Sequence, residues 1–303
     1  MKQTTTKQMR HKVLKIGALL LCFLISLGNT ISAQVTVTGA TTGDGSYSTL
    51  SAAFTAINPP NINTGAAINI ELSGNVTETV SAVLNSSDWA SVNITASVPV
   101  TVSGSITGAI IKLNGADNVT IDGSIGGSGR NITIQNNANV TATAAVWIAG
   151  TNVANAGATN NTIRSCNISC GAPQHTGTLV TFGILIGGTT ISATATTGLD
   201  NDNNSIIDNY IIKARNGICT RGAGATNLNQ NTIITGNLIG PASFGSDAIG
   251  VAGMLLQFEN NCNVSQNEVR FVGGDFANTS AGADRIGIGL GTTTWSNTSA
   301  TTT

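Results

Sequence analysis

Asn161-Thr162-Ile163-Arg164-Ser165-Cys166-Asn167-Ile168, Asn204-Ser205-Ile206-Ile207-Asp208-Asn209-Tyr210-Ile211, Asn231-Thr232-Ile233-Ile234-Thr235-Gly236-Asn237-Leu238-Ile239 and Asn261-Cys262-Asn263-Val264-Ser265-Gln266-Asn267-Glu268-Val269 are four versions of one phrase. Each opens on Asn, passes an aliphatic residue, returns to Asn and closes on another aliphatic. The opening Asn positions are 43, 27 and 30 residues apart. A second series alternates with the first: Ala145-Val146-Trp147-Ile148, Gly183-Ile184-Leu185-Ile186, Gly217-Ile218-Cys219, Ile249-Gly250-Val251 and Ile286-Gly287-Ile288-Gly289-Leu290. Taking Val146, Ile184, Ile218, Ile249 and Ile286 as markers, the spacings are 38, 34, 31 and 37. Two periodic series in strict alternation mean that one structural unit recurs, with loop insertions supplying the variation.

Upstream of the repeats lie short alternating runs: Ile68-Asn69-Ile70-Glu71-Leu72, Val92-Asn93-Ile94-Thr95, Val100-Thr101-Val102, Ile110-Ile111-Lys112-Leu113, Val119-Thr120-Ile121 and Ile132-Thr133-Ile134. Gly, Asn, Asp or Ser bounds each run, which is the signature of strands joined by tight turns. No helix-period stretch of useful length separates them, which excludes a doubly wound α/β fold. The one helical pattern comes earlier, where Leu50, Ala53, Phe54 and Ile57 fall on one face, with Ser48 or Thr49 as N-cap and Asn58-Pro59-Pro60 as the stop.

The stretch Gly43-Asp44-Gly45-Ser46-Tyr47-Ser48-Thr49-Leu50-Ser51-Ala52-Ala53-Phe54 resembles the start of pectate-lyase-like parallel β-helix proteins. The alternating repeat resembles the coil of the same group from about Val35 onward. That resemblance implies an all-β, single-stranded right-handed parallel β-helix with a short N-terminal capping helix. Residues 34–67 are then the N-terminal strand and cap, and 68–303 the solenoid. In such a coil, alternate aliphatics enter a narrow core and equivalent residues of successive coils stack about 4.8 Å apart. Asn tolerates the left-handed backbone of a sharp turn and offers its amide to the next coil. Asn167, Asn209, Asn237 and Asn267 are the candidate ladder. The coil that starts at Ile286 reads as incomplete, and the expectation is a longer protein with further C-terminal domains.

Charge is distributed unevenly. The 303 residues carry 13 Lys+Arg and 14 Asp+Glu, yet Lys2, Lys7, Arg10, Lys12 and Lys15 precede every acidic residue. Residues 1–33 read as an export signal: a basic start, the apolar run Ile16–Leu27, and cleavage after Ala33. Twelve apolar residues are too few to span a bilayer, so no integral membrane segment is expected after cleavage. The remaining chain is −6. It therefore has no basic footprint for nucleic acid. A mean hydropathy of +0.19 with few charges also argues against disorder. Four cysteines remain, Cys166, Cys170, Cys219 and Cys262. They suit either small buried residues in strands or two disulfides in any of three pairings.

Little in the sequence assembles catalytic chemistry. His175 is the one His after the signal, and no Gly-x-Ser-x-Gly elbow accompanies it. The adjacent Asp pairs, Gly-His-Gly and Arg-Ile-Lys of β-helix polygalacturonases are missing, as are pectin esterase signatures. Asp200-Asn201-Asp202-Asn203-Asn204 offers oxygen ligands at alternate spacing, making Asp200 and Asp202 the calcium candidates, although the Gly and terminal Glu of an EF-hand loop are absent. No other cofactor is indicated. Lys213, Arg215 and Arg221, with Arg164 and Arg270 in neighbouring repeats, could bind uronate or sulfated sugars if they share a face. Trp147, Trp295, Tyr210 and Phe271 could stack on sugar rings. The reading that results is a secreted or cell-surface scaffold, adhesin-like or carbohydrate-contacting, and non-enzymatic. Its alternative is a polysaccharide lyase or glycoside hydrolase acting on acidic polysaccharide.

Overall fold

Aliphatic residues in short runs bounded by turn formers favour strands too short to be stable singly, so each must be buried against neighbours. The computed structural model describes residues 33–171, 179–195, 198–273 and 285–291. All of the expected signal except Ala33 lies outside them, as do His175 and Trp295. Among the described residues the chain is almost entirely β, with one helix and three long sheets. From Ala67 onward it visits the three sheets in strict rotation, and within each sheet successive visits pair in parallel. Seven such circuits are described, an arrangement compatible with a β-helix. A small parallel pair, Asn229–Gln230 with Glu259–Asn260, adds a fourth sheet. No helix among the described residues is long and apolar enough to cross a membrane.

Parallel register places like residues on like. In the first sheet Ile70, Ile94, Ile121, Ile163, Ile206, Ile234 and Val264 form one row. In the second the row is Val76, Val102, Ile134, Ile168, Ile211, Ile239 and Val269. The third contributes Leu84, Leu113, Ile148, Ile186, Thr220, Leu256 and Leu290. Most of these side chains are fully buried, and each aliphatic so buried contributes about 1.5–3 kcal/mol.

The third sheet departs from the expected markers. Val146, Ile184 and Ile218 do stand in one row, but the row continues through Met254 and Ile288 instead of Ile249 and Ile286. The strand is Ala252–Gln257, and Ile249-Gly250-Val251 precedes it. What repeats is a glycine before the inward residue: Gly183, Gly217, Gly253 and Gly287. A Cβ on Gly217 would lie 2.7 Å from the Ile239 side chain and 2.6 Å from the Gly253 carbonyl oxygen. Ile239 of the second sheet needs that space, and Gly250 imitates the motif without filling the place.

The helix Leu50–Ile57 buries Leu50, Ala53, Phe54 and Ile57, and the Thr49 hydroxyl accepts from the Ala52 amide at 3.1 Å. Glu78, a buried residue of the first circuit, accepts from the Leu50 amide at 2.6 Å. A carboxylate is favoured there by the orphan amides and the positive end of the helix. The strand Val35–Thr38 pairs antiparallel with Ala67–Leu72 and with Gly45–Tyr47.

Asparagines organise the turn between the first and second sheets. The Asn237 amide nitrogen donates to Ile206 O at 2.8 Å and Asn267 Oδ1 at 2.9 Å, and that of Asn209 to Ile163 O at 2.9 Å and Asn237 Oδ1 at 3.1 Å. The left-handed residue is the one before each, Asp208, Gly236 or Gln266, at φ +53° to +68°. Asn167 does not belong to this row. Cys166 occupies the place, its backbone N–H donating to Asn209 Oδ1 at 3.0 Å, while Asn167 donates outward to Arg130 O at 2.7 Å. A second buried row, Asn161 and Asn204, serves the turn entering the first sheet, where Asn161 N–H donates to Asn204 Oδ1 at 3.0 Å. Replacing Asn237 by Ala strands amide and carbonyl groups in three circuits, and an unfolding titration should show a loss of about 2–4 kcal/mol, against at most ~1 kcal/mol for Asn167→Ala.

Candidate functional site

Side chains inside the circuits are committed to packing, so chemistry collects on the connections. The richest lies between the second and third sheets in the last three circuits. Lys213 and Arg215 sit between the strands Tyr210–Ile212 and Asn216–Arg221. Arg270 follows Glu268–Val269, and Arg285 precedes Ile286–Leu290. Because Asn216, Ala252 and Ile286 are in register, Arg215, Val251 and Arg285 fall in line along this corner. Half-burial and the charge of Arg285 both push Arg215 below the ordinary guanidinium range, so the two cations share one electrostatic environment. Phe244 and Phe271 meet edge to face at 4.7 Å on the same connections, and the Lys213 N–H donates to Asp247 O at 2.8 Å. Arg285 lies against Gly273, whose added Cβ would come within 2.9 Å of it. The corner thus gathers three of the five basic candidates, together with Arg285 and Phe244, which the sequence reading passed over.

The other two are elsewhere. Arg164 ends a first-sheet strand and pairs with Asp122 at 2.6 Å. Burial works to raise the Asp122 carboxyl, but hydrogen bonds from Ser124 and Arg164 and the charge of Arg164 together hold it below its usual range. Arg221 is 5% exposed and donates to Ala195 O at 2.7 Å and Ala193 O at 3.4 Å, with Gln257 Oε1 as a further partner. Its guanidinium stands 4.9 Å over the Phe258 ring. Such a buried, multiply bonded guanidinium is structural and offers nothing to a sugar.

Asp200 accepts from the Asn155 N–H at 2.6 Å and Asp202 from the Gln230 N–H at 2.8 Å, so both brace the connection between the third and first sheets. No group of three or more His, Cys, Asp or Glu among the described residues is arranged to hold a metal ion. The four cysteines are free thiols, and burial pushes each up to about 12. Cys166 and Cys170 face the interior from the two ends of one strand, about 13 Å apart at strand rise, beyond disulfide reach. Trp147 faces outward from the third sheet but is 7% exposed, with Lys112 Nζ 4.3 Å over its ring. A groove of about 550 Å³ beside the helix is lined by Ser51, Thr55, Asn58, Pro60, Val80 and Asn85, without an ionisable group.

A polar cluster hidden in the connections was not legible in the sequence. Glu259 is fully buried, accepting from Thr232 Oγ1 at 2.6 Å and Asn229 Nδ2 at 2.8 Å. The Thr220 hydroxyl faces the same carboxyl without closing a good hydrogen bond. Burial first, with the charge of Asp202 adding, raises Glu259 to about 7, against the lowering effect of its hydrogen bonds. Nothing in Phe258-Glu259-Asn260 distinguishes it from a solvated turn.

Comparison with family models, with curated proteins and with solved structures finds no match to the chain. The chemistry above therefore stands on the geometry. Glu259 is raised above its unfolded value of 4.5, so its stabilisation is complete below that pH and is lost as pH rises through about 7. Stability should fall by up to ~3 kcal/mol between those values. Glu259→Gln should flatten this part of the pH profile, which urea midpoints measured at half-unit steps will reveal.

Proposed function

We propose that this chain is a secreted or cell-surface right-handed parallel β-helix that contacts acidic polysaccharide as a non-enzymatic, adhesin-like scaffold. The observation that carries the reading is the corner between the second and third sheets. There Lys213, Arg215, Arg270 and Arg285 accompany the Phe244–Phe271 pair on three consecutive circuits. Guanidinium groups spaced along a ridge suit carboxylates or sulfates repeating along a sugar chain, and an aromatic pair suits the apolar faces of its rings. Of the two carboxylates nearby, Glu268 pairs with Arg270 at 3.3 Å, and Asp247 bonds Lys213 through the backbone alone.

The remaining parts of the reading follow from physical need. A helix that buries its apolar face against the first circuit would close that end of the solenoid and protect its strand edges. The basic and apolar residues 1–33 suit export. A lyase needs a base beside substrate and usually a bound cation, and no group of three or more His, Cys, Asp or Glu among the described residues is arranged to hold a metal ion.

Binding of the purified chain to immobilised polygalacturonate, a sulfated glycan and a neutral glucan tests the proposal. Retention should be confined to the acidic polymers, weaken with salt, and drop at least ~10-fold in an Arg215→Ala, Arg285→Ala double variant while Arg164→Ala stays near wild type. Equal retention on neutral glucan, or unsaturated products that disappear with Lys213→Ala, would overturn it.

A further inference from the structure

Three rows change character at one height of the solenoid. The inward row of the third sheet runs Leu84, Leu113, Ile148, Ile186, Thr220, Leu256 and Leu290, so Thr220 puts a single hydroxyl into an aliphatic column. Ahead of the first-sheet strands, the buried residues Asn161 and Asn204 are followed in their row by Thr232. On the connection just before, Asn201 and Asn229 are followed by Glu259. Thr220, Asn229, Thr232 and Glu259 are all fully buried. The departures meet at one carboxyl: Glu259 accepts from Thr232 Oγ1 at 2.6 Å and from Asn229 Nδ2 at 2.8 Å, and the Thr220 hydroxyl faces it.

Two oxygens of this cluster are left over. Thr220 Oγ1 and Asn229 Oδ1 are buried and have no hydrogen-bond partner. Asn201, one circuit earlier, shows how the row is otherwise satisfied, since its amide donates to Gly187 O at 2.9 Å and accepts from the Ala158 N–H at 3.0 Å. Asn229 instead turns its amide nitrogen to Glu259 and leaves its oxygen without a donor. A half-turn of that amide presents the oxygen to the cluster.

One carboxylate, two hydroxyls and an amide carbonyl are an all-oxygen donor set, the chemistry that suits hard cations. The set carries a charge of −1 when Glu259 is ionised. A monovalent ion cancels that charge, whereas a divalent ion leaves net positive charge in an apolar interior, which is costly. The other titratable groups facing Glu259 are Asp202, Cys219 and Cys262, and none of them supplies positive charge.

We propose that Glu259, Thr220, Thr232 and Asn229 form a buried site for an alkali-metal cation, sodium or potassium, inside the solenoid. Their oxygens replace the hydration shell of the ion, as carbonyl rings do in potassium-selective pores. Glu259 belongs to one circuit and the other three residues to the stretch about thirty residues earlier, so the ion ties consecutive circuits together. Ion and proton compete for one carboxyl. Binding of the ion releases the proton to solvent, and no covalent bond changes.

Thermal unfolding of the intact chain in sodium, potassium and choline chlorides at equal ionic strength, at pH 5.5 and 8.5, tests the site. At pH 8.5 the Tm should rise saturably with sodium or potassium, to at least ~2 °C above that in choline. At pH 5.5, where the proton holds the carboxyl, this excess should vanish. Glu259→Gln should abolish it at pH 8.5. Thr220→Val restores the aliphatic column, so it should unfold no earlier than wild type in choline yet lose most of the excess, which a generic salt effect would not produce. The site is refuted if the alkali and choline salts act alike on the wild type at pH 8.5, if the excess persists at pH 5.5, or if a folded Glu259→Gln chain keeps it. Calcium chloride acting more strongly than sodium at equal ionic strength refutes the monovalent assignment. The wild-type comparison of sodium with choline decides the matter even if the variants fold poorly.

Discussion

Strands stacked in parallel about 4.8 Å apart oblige each side chain to sit on its equivalent in the next circuit, and this spacing governs what each row can contain. Aliphatics stack without cost. Like charges at that distance repel with no room for solvent, so rows inside the sheets are nearly free of ionisable groups. Asparagine is the polar residue that can repeat, because one amide both donates and accepts. In the Asn209, Asn237 and Asn267 row each amide nitrogen reaches a backbone carbonyl of the circuit before, and neighbouring side chains are joined. The glycine row of the third sheet follows from the same spacing, since Ile211, Ile239 and Val269 of the second sheet press into the space a Cβ would need.

Charge then has two places to go. On the connections it keeps partial access to solvent and escapes the stacking rule, which is why Lys213, Arg215, Arg270 and Arg285 can lie along one corner. Where it enters the interior it must be hydrogen-bonded or neutral. Glu78 meets the first condition by accepting from the helix amides. Glu259 has hydrogen bonds but no cationic partner in contact, and its raised proton affinity is the result. Arg221 resembles neither, being buried yet satisfied by carbonyls and an amide, which makes it a structural residue in spite of its charge.

Asn167 stands before an aliphatic in its repeat, as Asn209, Asn237 and Asn267 do in theirs. Yet Cys166 holds the position, and a one-residue shift in a strand turns a side chain from interior to solvent. Ile249-Gly250-Val251 likewise has the right letters and lies ahead of the strand. The aliphatic rows survive such slips because many residues vote on them, whereas a turn position rests on one. Arg164, Arg215 and Arg221 look alike in sequence, but they lie on three different parts of the circuit. The connection lengths that decide this vary from turn to turn.

The amino-acid sequence by itself determined the recurring β unit, the helix at Leu50–Ile57 and the poverty of charge, because each depends on local periodicity and composition. Tertiary structure decided which basic residues meet at one corner, which asparagine is buried, and that Glu259 is sealed from water. Those depend on register and connection length across circuits some thirty residues apart, and residue pairing at that range leaves no trace in local sequence.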